Sequence, residues 1–285
     1  MHKNIFKKLF QKSKLQSLKL NSYFYSYDYI FKEFKSKPIT FVEVGIFGGG
    51  SLFMWKKYFH PKSRIIGIDL NPKSKEYEKY GFEIFIGDQE DPKFWKNFYR
   101  KIGKVDILLD DGGHTDSQQI QTLISSIKNI KEDGLIVIED IHTSYLTEFG
   151  NPSKVSFINF SKKIIDLINS RYLGLNKIQK KNNKIKNILK NYIFSINYFE
   201  SLVAFRINKK KSIISKVVWN KKKREKIVDF RYNKKKNTIW EFAIFVKKLF
   251  PKTLVNSYLI RFLSEFIIKF LINIKKNRKL KKFKF

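Results

Sequence analysis

The 285-residue chain is long enough for one α/β domain with an appendage, and 42% hydrophobic and 16% aromatic residues predict a folded core. It contains no cysteine, which excludes disulfide bonds, thiolate metal sites and a cysteine nucleophile. The formal net charge of +34 is uneven: residues 209–285 carry 25 basic and 4 acidic groups, whereas residues 38–150 carry 14 and 17. The excess charge therefore belongs mainly to the C-terminal part.

This charge is weak evidence for nucleic-acid binding. Only 8 of the 59 basic residues are arginine, the residue that reads bases and phosphates by bidentate hydrogen bonds. Abundant Lys, Asn, Ile and Phe together are typical of coding from A/T-rich codons. The sequence therefore favours a coding bias over nucleic-acid recognition.

The N-terminal residues contain no apolar stretch of signal-peptide length, and no window of 18 residues is apolar and free of charge. The sequence predicts neither a secretory signal nor a spanning helix. A cytoplasmic location is expected.

Predicted elements follow a clear α/β rhythm after an N-terminal helical segment, residues 1–37, which contains an aromatic stretch at residues 23–31. β-branched and aromatic runs predict strands, in chain order, over residues 39–44, 64–68, 82–86, 105–109, 135–138, 192–198 and 201–207. Helices are predicted over residues 52–58, 91–100 and 157–171. A further helix is predicted between the fourth and fifth strands, ending at Gly134, and residues 176–190 are predicted as a helix or loop.

This order predicts a Rossmann-like, doubly wound α/β fold with a mostly parallel, seven-stranded sheet and an antiparallel last strand. We predict three parts: an N-terminal helical segment (residues 1–37), a catalytic domain (residues 38–208) and a basic helical C-terminal extension (residues 209–285).

The sequence of the C-terminal extension predicts two amphipathic helices, over residues 239–250 and 254–274. The second has a broad apolar face with lysine clusters on both sides. Such a helix suits peripheral contact with an anionic membrane surface. Packing on the catalytic domain or on a second subunit in a homo-oligomer explains the same pattern equally well.

Pairs of acids follow two neighbouring predicted strands: Asp110-Asp111 after the fourth and Glu139-Asp140 after the fifth. Because the carboxyl ends of parallel strands meet at one edge of a sheet, these four carboxylates should converge. Like charges this close repel unless a cation or a shared proton neutralises them. A bound hard metal ion is the simplest explanation.

The first predicted strand leads through Gly45–Gly50 into a helix, where glycine allows a ligand to approach the backbone closely. A nicotinamide fingerprint would need glycine at position 47, which is Phe47. Instead Glu43 precedes the turn, which suits a cofactor with a positive or hydrogen-bond-donating group. Asp69 and Asp88 end the next two strands, where they can contact ribose hydroxyls and an adenine amino group.

These motifs (E-x-G-x-x-G-G-G from residue 43, I-G-I-D, G-D-Q-x-D, D-D-G-x-H and G-L-x-V-I-E-D-x-x-T-S-Y) resemble those of class I S-adenosylmethionine-dependent methyltransferases. Within that class the chain resembles the metal-dependent sugar O-methyltransferases of the macrocin and mycinamicin type, a pattern shared by cephalosporin hydroxylase-like proteins. The resemblance covers roughly residues 20–207 and is densest over residues 41–145.

The resemblance implies roles for particular residues. The implied cofactor-binding residues are Glu43, Gly45, Gly48, Gly49, Ser51, Asp69, Asp88, Gln89 and Asp110. The implied Mg²⁺ ligands are Asp111, Glu139 and Asp140, and His114 is the implied general base. His142 and Tyr145 are further catalytic candidates on the substrate side, although a structural role for His142 is weighed equally.

The leading hypothesis is an S-adenosylmethionine- and Mg²⁺-dependent O-methyltransferase acting on a small-molecule or lipid-linked sugar. One alternative keeps the cofactor and assigns a nucleic-acid substrate, which a steep salt dependence of binding would reveal. Another is a non-catalytic membrane- or partner-docking protein on a methyltransferase fold. Intact acids at every implied position argue against this last alternative.

Overall fold

The computed structural model of the chain describes residues 4–149, 155–172 and 183–220. Its α-helices are α1 (Ile5–Gln11), α2 (Asn21–Phe31), α3 (Gly50–Tyr58), α4 (Pro92–Ile102), α5 (Asp116–Ser126), α6 (Phe157–Asn169) and α7 (Lys184–Tyr192). Its strands are β1 (Thr40–Val44), β2 (Arg64–Asp69), β3 (Glu83–Ile86), β4 (Val105–Asp110), β5 (Ile130–Ile138), β6 (Ile193–Phe199) and β7 (Leu202–Ile207). Short 3₁₀ helices cover Lys32–Phe34, Pro72–Tyr80, Ile141–Tyr145 and Thr147–Phe149.

The strands form one seven-stranded sheet in the order β3-β2-β1-β4-β5-β7-β6. Strands β1 to β5 pair in parallel, and β7 is antiparallel to both of its neighbours, β5 and β6. This arrangement confirms the predicted fold class, including the antiparallel last strand. The order reverses beside β1, so β1 and β4 flank the point where ligands bind in sheets of this kind.

Both faces of the sheet are buried, as the strand sequences require. Along β1, Phe41 belongs to the apolar core beneath α1, α2 and α3, whereas Val42 and Val44 belong to the core on the opposite face. Successive side chains of a strand point to opposite faces, so a continuous apolar run supplies two cores at once. This explains why β1 shows no alternation of apolar and polar residues.

The N-terminal helices lie against the sheet and α3. Phe6 of α1 and Tyr27 and Phe31 of α2 are fully buried, and each has a ring contact with Trp55 of α3. The described residues up to Val217 belong to one compact unit. The buried members of the aromatic stretch, Tyr23, Phe24, Tyr27 and Phe31, are therefore the packing face of α2, whereas Tyr25 and Tyr29 are exposed. The packing face holds the N-terminal segment against the end of the sheet that carries the acids.

Some predicted boundaries were wrong. Helix α5 ends at Ser126 and β5 begins at Ile130, so Gly134, predicted to stop the helix, lies inside a strand. A Cβ at Gly134 would approach the Asp106 carbonyl oxygen to 2.5 Å, so close strand packing requires glycine there. The 3₁₀ helix over Pro72–Tyr80 was not predicted, because its polar sequence has no helical apolar periodicity.

None of the helices in the described ranges is long and apolar enough to cross a bilayer. The helices predicted over residues 239–250 and 254–274, with the membrane and oligomer interpretations built on them, lie outside the described residues. The three-part domain division stays a prediction.

Candidate active site

A pocket of about 700 Å³ opens at the carboxyl ends of the strands. The register places these ends side by side: Val44 of β1 pairs with Ile68 of β2 and with Asp110 of β4, and Asp110 pairs with Ile138 of β5. The residues that follow each strand therefore line one cavity. Its walls include Gly45–Phe47, Asp69–Asn71, Gly87–Gln89, Asp111–His114, Asp140 and His142, together with Ser17–Leu20 and Tyr23 from the N-terminal segment.

Asp69 and Asp88 lie on the part of the wall formed by β2 and β3. Asp69 Oδ2 accepts a hydrogen bond from the Ile46 amide at 3.0 Å, which fixes its carboxylate beside the glycine turn. Asp88 Oδ1 accepts from the Glu90 amide at 2.8 Å. Two carboxylates that backbone amides hold in place, at adjacent strand ends, can accept hydrogen bonds from a ribose and a base, as the sequence indicated.

The glycine turn serves close packing of the chain as well as access to the pocket. Gly45 has φ of +79°, and a Cβ there would lie 2.1 Å from the Asp111 carbonyl oxygen. At Gly48 a Cβ would lie 2.6 Å from the Gln16 carbonyl oxygen, and Gly49 is left-handed and faces the Tyr77 ring. Gly45 lines the pocket, whereas Gly48 and Gly49 accommodate neighbouring chain segments.

Replacing Gly45 with alanine should destabilise the protein strongly. A methyl group would enter the backbone that follows β4, and alanine disfavours the left-handed conformation. We expect a loss of about 3 kcal/mol or more in the free energy of unfolding, measured by urea denaturation. Gly81→Ala is the control, because Gly81 also has positive φ, at +79°, but an added Cβ there would meet only the flexible end of the Lys56 side chain, at 3.3 Å. Equal losses in the two variants would show that the close contact is unimportant.

Glu43 and Ser51, two predicted cofactor residues, lie beneath the pocket. The Glu43 side chain is fully buried, and its Oε2 accepts a hydrogen bond from Ser51 Oγ at 2.7 Å. Burial raises the pKa of Glu43, and the nearby Lys19 ammonium opposes that rise. The structure thus places Glu43 outside the pocket lining, where its side chain joins Ser51 at the start of α3 to Lys19.

Gln89 lines the pocket and forms a buried pair with Asp110, which lies behind it. Gln89 Nε2 donates to both Asp110 oxygens at 3.0 and 3.1 Å, and Gln89 Oε1 accepts from the Gly113 amide at 2.9 Å. Burial raises the pKa of Asp110 to about 6, against hydrogen bonds from Thr122, the Gly112 amide and Gln89. Because the Gln89 amide is occupied on both sides, it positions the Gly112–Gly113 turn, and Asp110 does not line the pocket.

Asp111, His114 and Asp140 converge on the pocket and are together called the outer group. Each offers one ligand atom, and these atoms lie within 4.8 Å of one another. His114 Nε2 is 3.4 Å from Asp140 Oδ2 and 4.0 Å from Asp111 Oδ1, and all three side chains are about one-fifth exposed. Two carboxylates and an imidazole are a donor set that Mg²⁺ or Mn²⁺ accepts.

The backbone that carries the outer group is unusual. His114 and Asp140 both have positive φ, +61° and +52°, a conformation that is uncommon for residues other than glycine. Thr143 Oγ1 donates to the carbonyl oxygens of both residues, at 2.8 and 2.7 Å. Strained backbone that a shared hydrogen-bond donor holds in place is typical of functional sites.

Glu139, a predicted metal ligand, is not part of the outer group and does not line the pocket. Its side chain is fully buried; Oε1 accepts a hydrogen bond from the Tyr27 hydroxyl, and Oε2 lies 2.8 Å from Lys19 Nζ. Burial raises the pKa of Glu139 well above its usual range, with Lys19 opposing. The structure therefore brings Asp111 and Asp140 together with His114 at the pocket, and it holds Glu139 on Lys19, which Asp111 also contacts.

Lys19 was missed by the sequence reasoning and lies at the centre of the site. Its side chain is 1% exposed, and Nζ contacts three carboxylates: Glu43 Oε1 at 3.3 Å, Asp111 Oδ2 at 2.6 Å and Glu139 Oε2 at 2.8 Å. These four residues are called the inner cluster. Burial alone would lower the pKa of Lys19, but the surrounding negative charges raise it well above its usual range.

Two tyrosines of α2 complete the acidic site from the N-terminal side. The Tyr23 hydroxyl donates to Asp140 Oδ1 at 2.5 Å and accepts from the Asp140 amide at 2.9 Å, whereas the Tyr27 hydroxyl donates to Glu139. Tyr23 and Tyr27 are one helical turn apart, so they share a face. The four-residue spacing of the two tyrosines is a sequence signal that could have placed both hydroxyls at the site. No comparable signal marks Lys19, because lysine is abundant throughout this chain.

The two remaining candidates differ in position. His142 lines the pocket, with Nδ1 3.8 Å from Asp140 Oδ1. Tyr145 is 58% exposed and lies outside the pocket lining. The structure thus favours His142 over Tyr145 as a substrate-side residue.

Comparison with known proteins gives relatives of one kind, although no family model matches the chain. A rhamnosyl tetracenomycin-C 2'-O-methyltransferase from Streptomyces olivaceus is 30% identical over 158 residues, 52% of this chain and 41% of that protein. Mycinamicin VI 2''-O-methyltransferase from Micromonospora griseorubida is 31% identical over 159 residues, 52% and 39% of the two chains. Demethylmacrocin O-methyltransferase from Streptomyces fradiae is 34% identical over 134 residues, 45% and 33%.

Solved structures agree with these relatives. The mycinamycin-pathway methyltransferase MycE, crystallised with Mg and S-adenosylhomocysteine, superimposes with a TM-score of 0.58 at 26% identity, covering 64% of this chain and 48% of MycE. The findings confirm the resemblance to sugar O-methyltransferases that the motifs indicated. The chain spans between one-third and about two-fifths of the length of these three curated relatives.

Proposed function

We propose that the protein is an S-adenosylmethionine- and Mg²⁺-dependent O-methyltransferase that acts on a hydroxyl of a sugar-bearing small molecule. The observation that carries the proposal is the position of the outer group, Asp111, His114 and Asp140, in the same pocket as the cofactor-side acids Asp69 and Asp88. The aligned relatives, which are named as sugar O-methyltransferases, support it.

S-adenosylmethionine fits the cofactor side of the pocket. The backbone at Gly45–Phe47 and the carboxylates of Asp69 and Asp88 face the cavity, and its volume of about 700 Å³ leaves room for a second molecule. Glu43, Gly48, Gly49, Ser51, Gln89 and Asp110 would act indirectly, by fixing the turns that line the site. Bound there, the cofactor would supply a methyl group already activated by its sulfonium charge.

A divalent cation fits the outer group, because carboxylate oxygens of Asp111 and Asp140 face the pocket and are only partly neutralised. Mg²⁺ held there would supply the positive charge that lowers the pKa of a sugar hydroxyl. Glu139 remains a predicted ligand, and in this structure its two oxygens accept from Tyr27 and Lys19.

His114 is the proposed general base. Its Nε2 lies within hydrogen-bonding reach of Asp140 Oδ2, which would stabilise the imidazolium formed when His114 takes the substrate proton. The ring is about one-fifth exposed and lines the pocket, so an acceptor can reach it. His142 would contact the substrate beside it.

The pocket mouth supports a small-molecule acceptor over a nucleic acid. Leu18, Phe47 and Leu70 line it and are 72%, 66% and 69% exposed. Exposed apolar side chains around a polar pocket suit an acceptor that joins a sugar to an apolar group. A phosphate backbone would instead need basic side chains around the mouth.

Calorimetric titration with S-adenosylhomocysteine tests the proposal. Wild-type protein should bind it, and Asp69→Ala should weaken binding by about 10–100-fold, since charge-assisted hydrogen bonds to the ribose would be lost. Glu76→Ala is the control, because Glu76 is an exposed acid outside the pocket. A folded wild-type protein that gives no heat with the ligand would refute the proposed function.

A further inference from the structure

The inner cluster places three carboxyl groups around a single ammonium. Glu43 and Glu139 are fully buried and Asp111 is 19% exposed, and Lys19 is the cation that contacts all three. Each carboxylate comes from a different strand end: β1, β4 and β5. An ammonium among oxygens from three strands occupies the kind of place that a metal ion takes in other proteins.

Asp111 belongs to both groups of acids. Its Oδ2 contacts Lys19 Nζ at 2.6 Å, whereas its Oδ1 faces His114 Nε2 at 4.0 Å. A cation in the outer group would therefore share one carboxylate with the Lys19 ammonium. At so short a separation in a largely buried site, two positive charges repel strongly.

We propose that Lys19 is an internal cation that replaces a metal ion in the inner cluster and lowers the affinity of the outer group for a divalent cation. This inference rests on the proposed function for the role of the divalent cation. Lys19 thereby acts as a positioning residue: it holds Asp111 and Glu139 in place when no metal is bound, and it limits the acidic site to one exchangeable divalent ion.

The surroundings of Lys19 support a fixed rather than a mobile side chain. Its neighbour Leu20 precedes α2, whose Tyr23 and Tyr27 hydroxyls bind Asp140 and Glu139, so the segment is attached to the acids on both sides of the ammonium. On the other side of Lys19, the Gln16 carbonyl accepts from the Gly50 amide at 3.2 Å.

The test is Mn²⁺ binding, measured without cofactor by the electron paramagnetic resonance signal of free Mn²⁺. Lys19→Met removes the charge and retains an unbranched chain, and Lys19→Gln removes the charge and retains a donor. Both should bind Mn²⁺ at least roughly tenfold more tightly than wild type, because the repulsion is gone. Lys14→Met, an exposed lysine of the same segment, should bind as wild type does.

Melting temperatures give a second, independent measurement. Without divalent ions, both Lys19 variants should melt below wild type, because three close carboxylates lose their counter-charge. Saturating Mn²⁺ should raise the melting temperature of the variants more than that of wild type, by linkage to tighter binding. This comparison remains informative if a variant is only partly folded at room temperature.

Unchanged or weaker Mn²⁺ binding in both Lys19 variants would overturn the inference and leave Lys19 as an anchor of the N-terminal segment. A divergence between the Met and Gln variants would also overturn it, since the effect would then follow packing rather than charge. None of these measurements uses S-adenosylmethionine. Failure of the cofactor titration would therefore refute the proposed function without deciding the role of Lys19.

Discussion

Asp140→Asn should abolish both Mn²⁺ binding and methyl transfer, and chelation of divalent ions should abolish methyl transfer by wild type. Asp140 offers the outer group a carboxylate that is 20% exposed and oriented by Tyr23. Loss of groups that merely orient metal ligands costs about 10–100-fold in affinity, so loss of a ligand should cost more than about 100-fold. Mn²⁺ binding is measured by calorimetry, and transfer by labelled S-adenosylmethionine with a panel of glycosides.

Two comparisons sharpen this prediction. Glu132→Gln, a change at an exposed acid far from the pocket, should leave Mn²⁺ binding unchanged. Glu139→Gln tests whether Glu139 is a metal ligand. If Mn²⁺ affinity stays within about tenfold of wild type, the main role of Glu139 is to bind Lys19 and Tyr27. Full turnover of wild type in excess chelator would contradict the metal requirement and assign these carboxylates another task.

The fold and the location of the site were predictable from local pattern. Apolar runs that end in acids define β2, β4 and β5, because a strand buried on both faces must be apolar and must become polar where it leaves the core. Parallel pairing then requires Asp69, Asp111 and Asp140 to meet at one edge. The structure confirms the sheet order on which this argument depends.

The division of labour among the acids was not predictable in the same way. Whether Glu139 faces a metal ion or the protein interior depends on Tyr27 and Lys19, which lie more than 100 residues away in sequence. A single lysine in a chain with 59 basic residues gives no signal of its own. Contacts between distant segments and the burial of individual charges appear only once the segments are packed together.

The same limit applies to the glycines. The sequence indicated a cofactor role for Gly48 and Gly49, because glycine turns after a first strand commonly receive ligands. In the structure Gly48 makes room for the backbone at Gln16, and Gly49 faces the Tyr77 ring. The N-terminal segment thus explains part of the glycine pattern, and it also provides Lys19 and the two tyrosines.

His114→Asn should reduce the rate of methyl transfer by about 10²–10⁴-fold at neutral pH while the protein still binds S-adenosylhomocysteine and Mn²⁺. Asparagine is chosen because it tolerates the left-handed backbone of residue 114 (φ +61°), which alanine would strain. His60→Asn, at a histidine outside the pocket, is the matched control and should retain full turnover. The binding measurement separates two roles for one atom, since Nε2 of His114 faces both outer-group carboxylates. Retained Mn²⁺ binding with lost turnover identifies His114 as a general base. Loss of Mn²⁺ binding would make His114 a metal ligand instead. A wild-type rate of methyl transfer would show that His114 takes no part in the reaction.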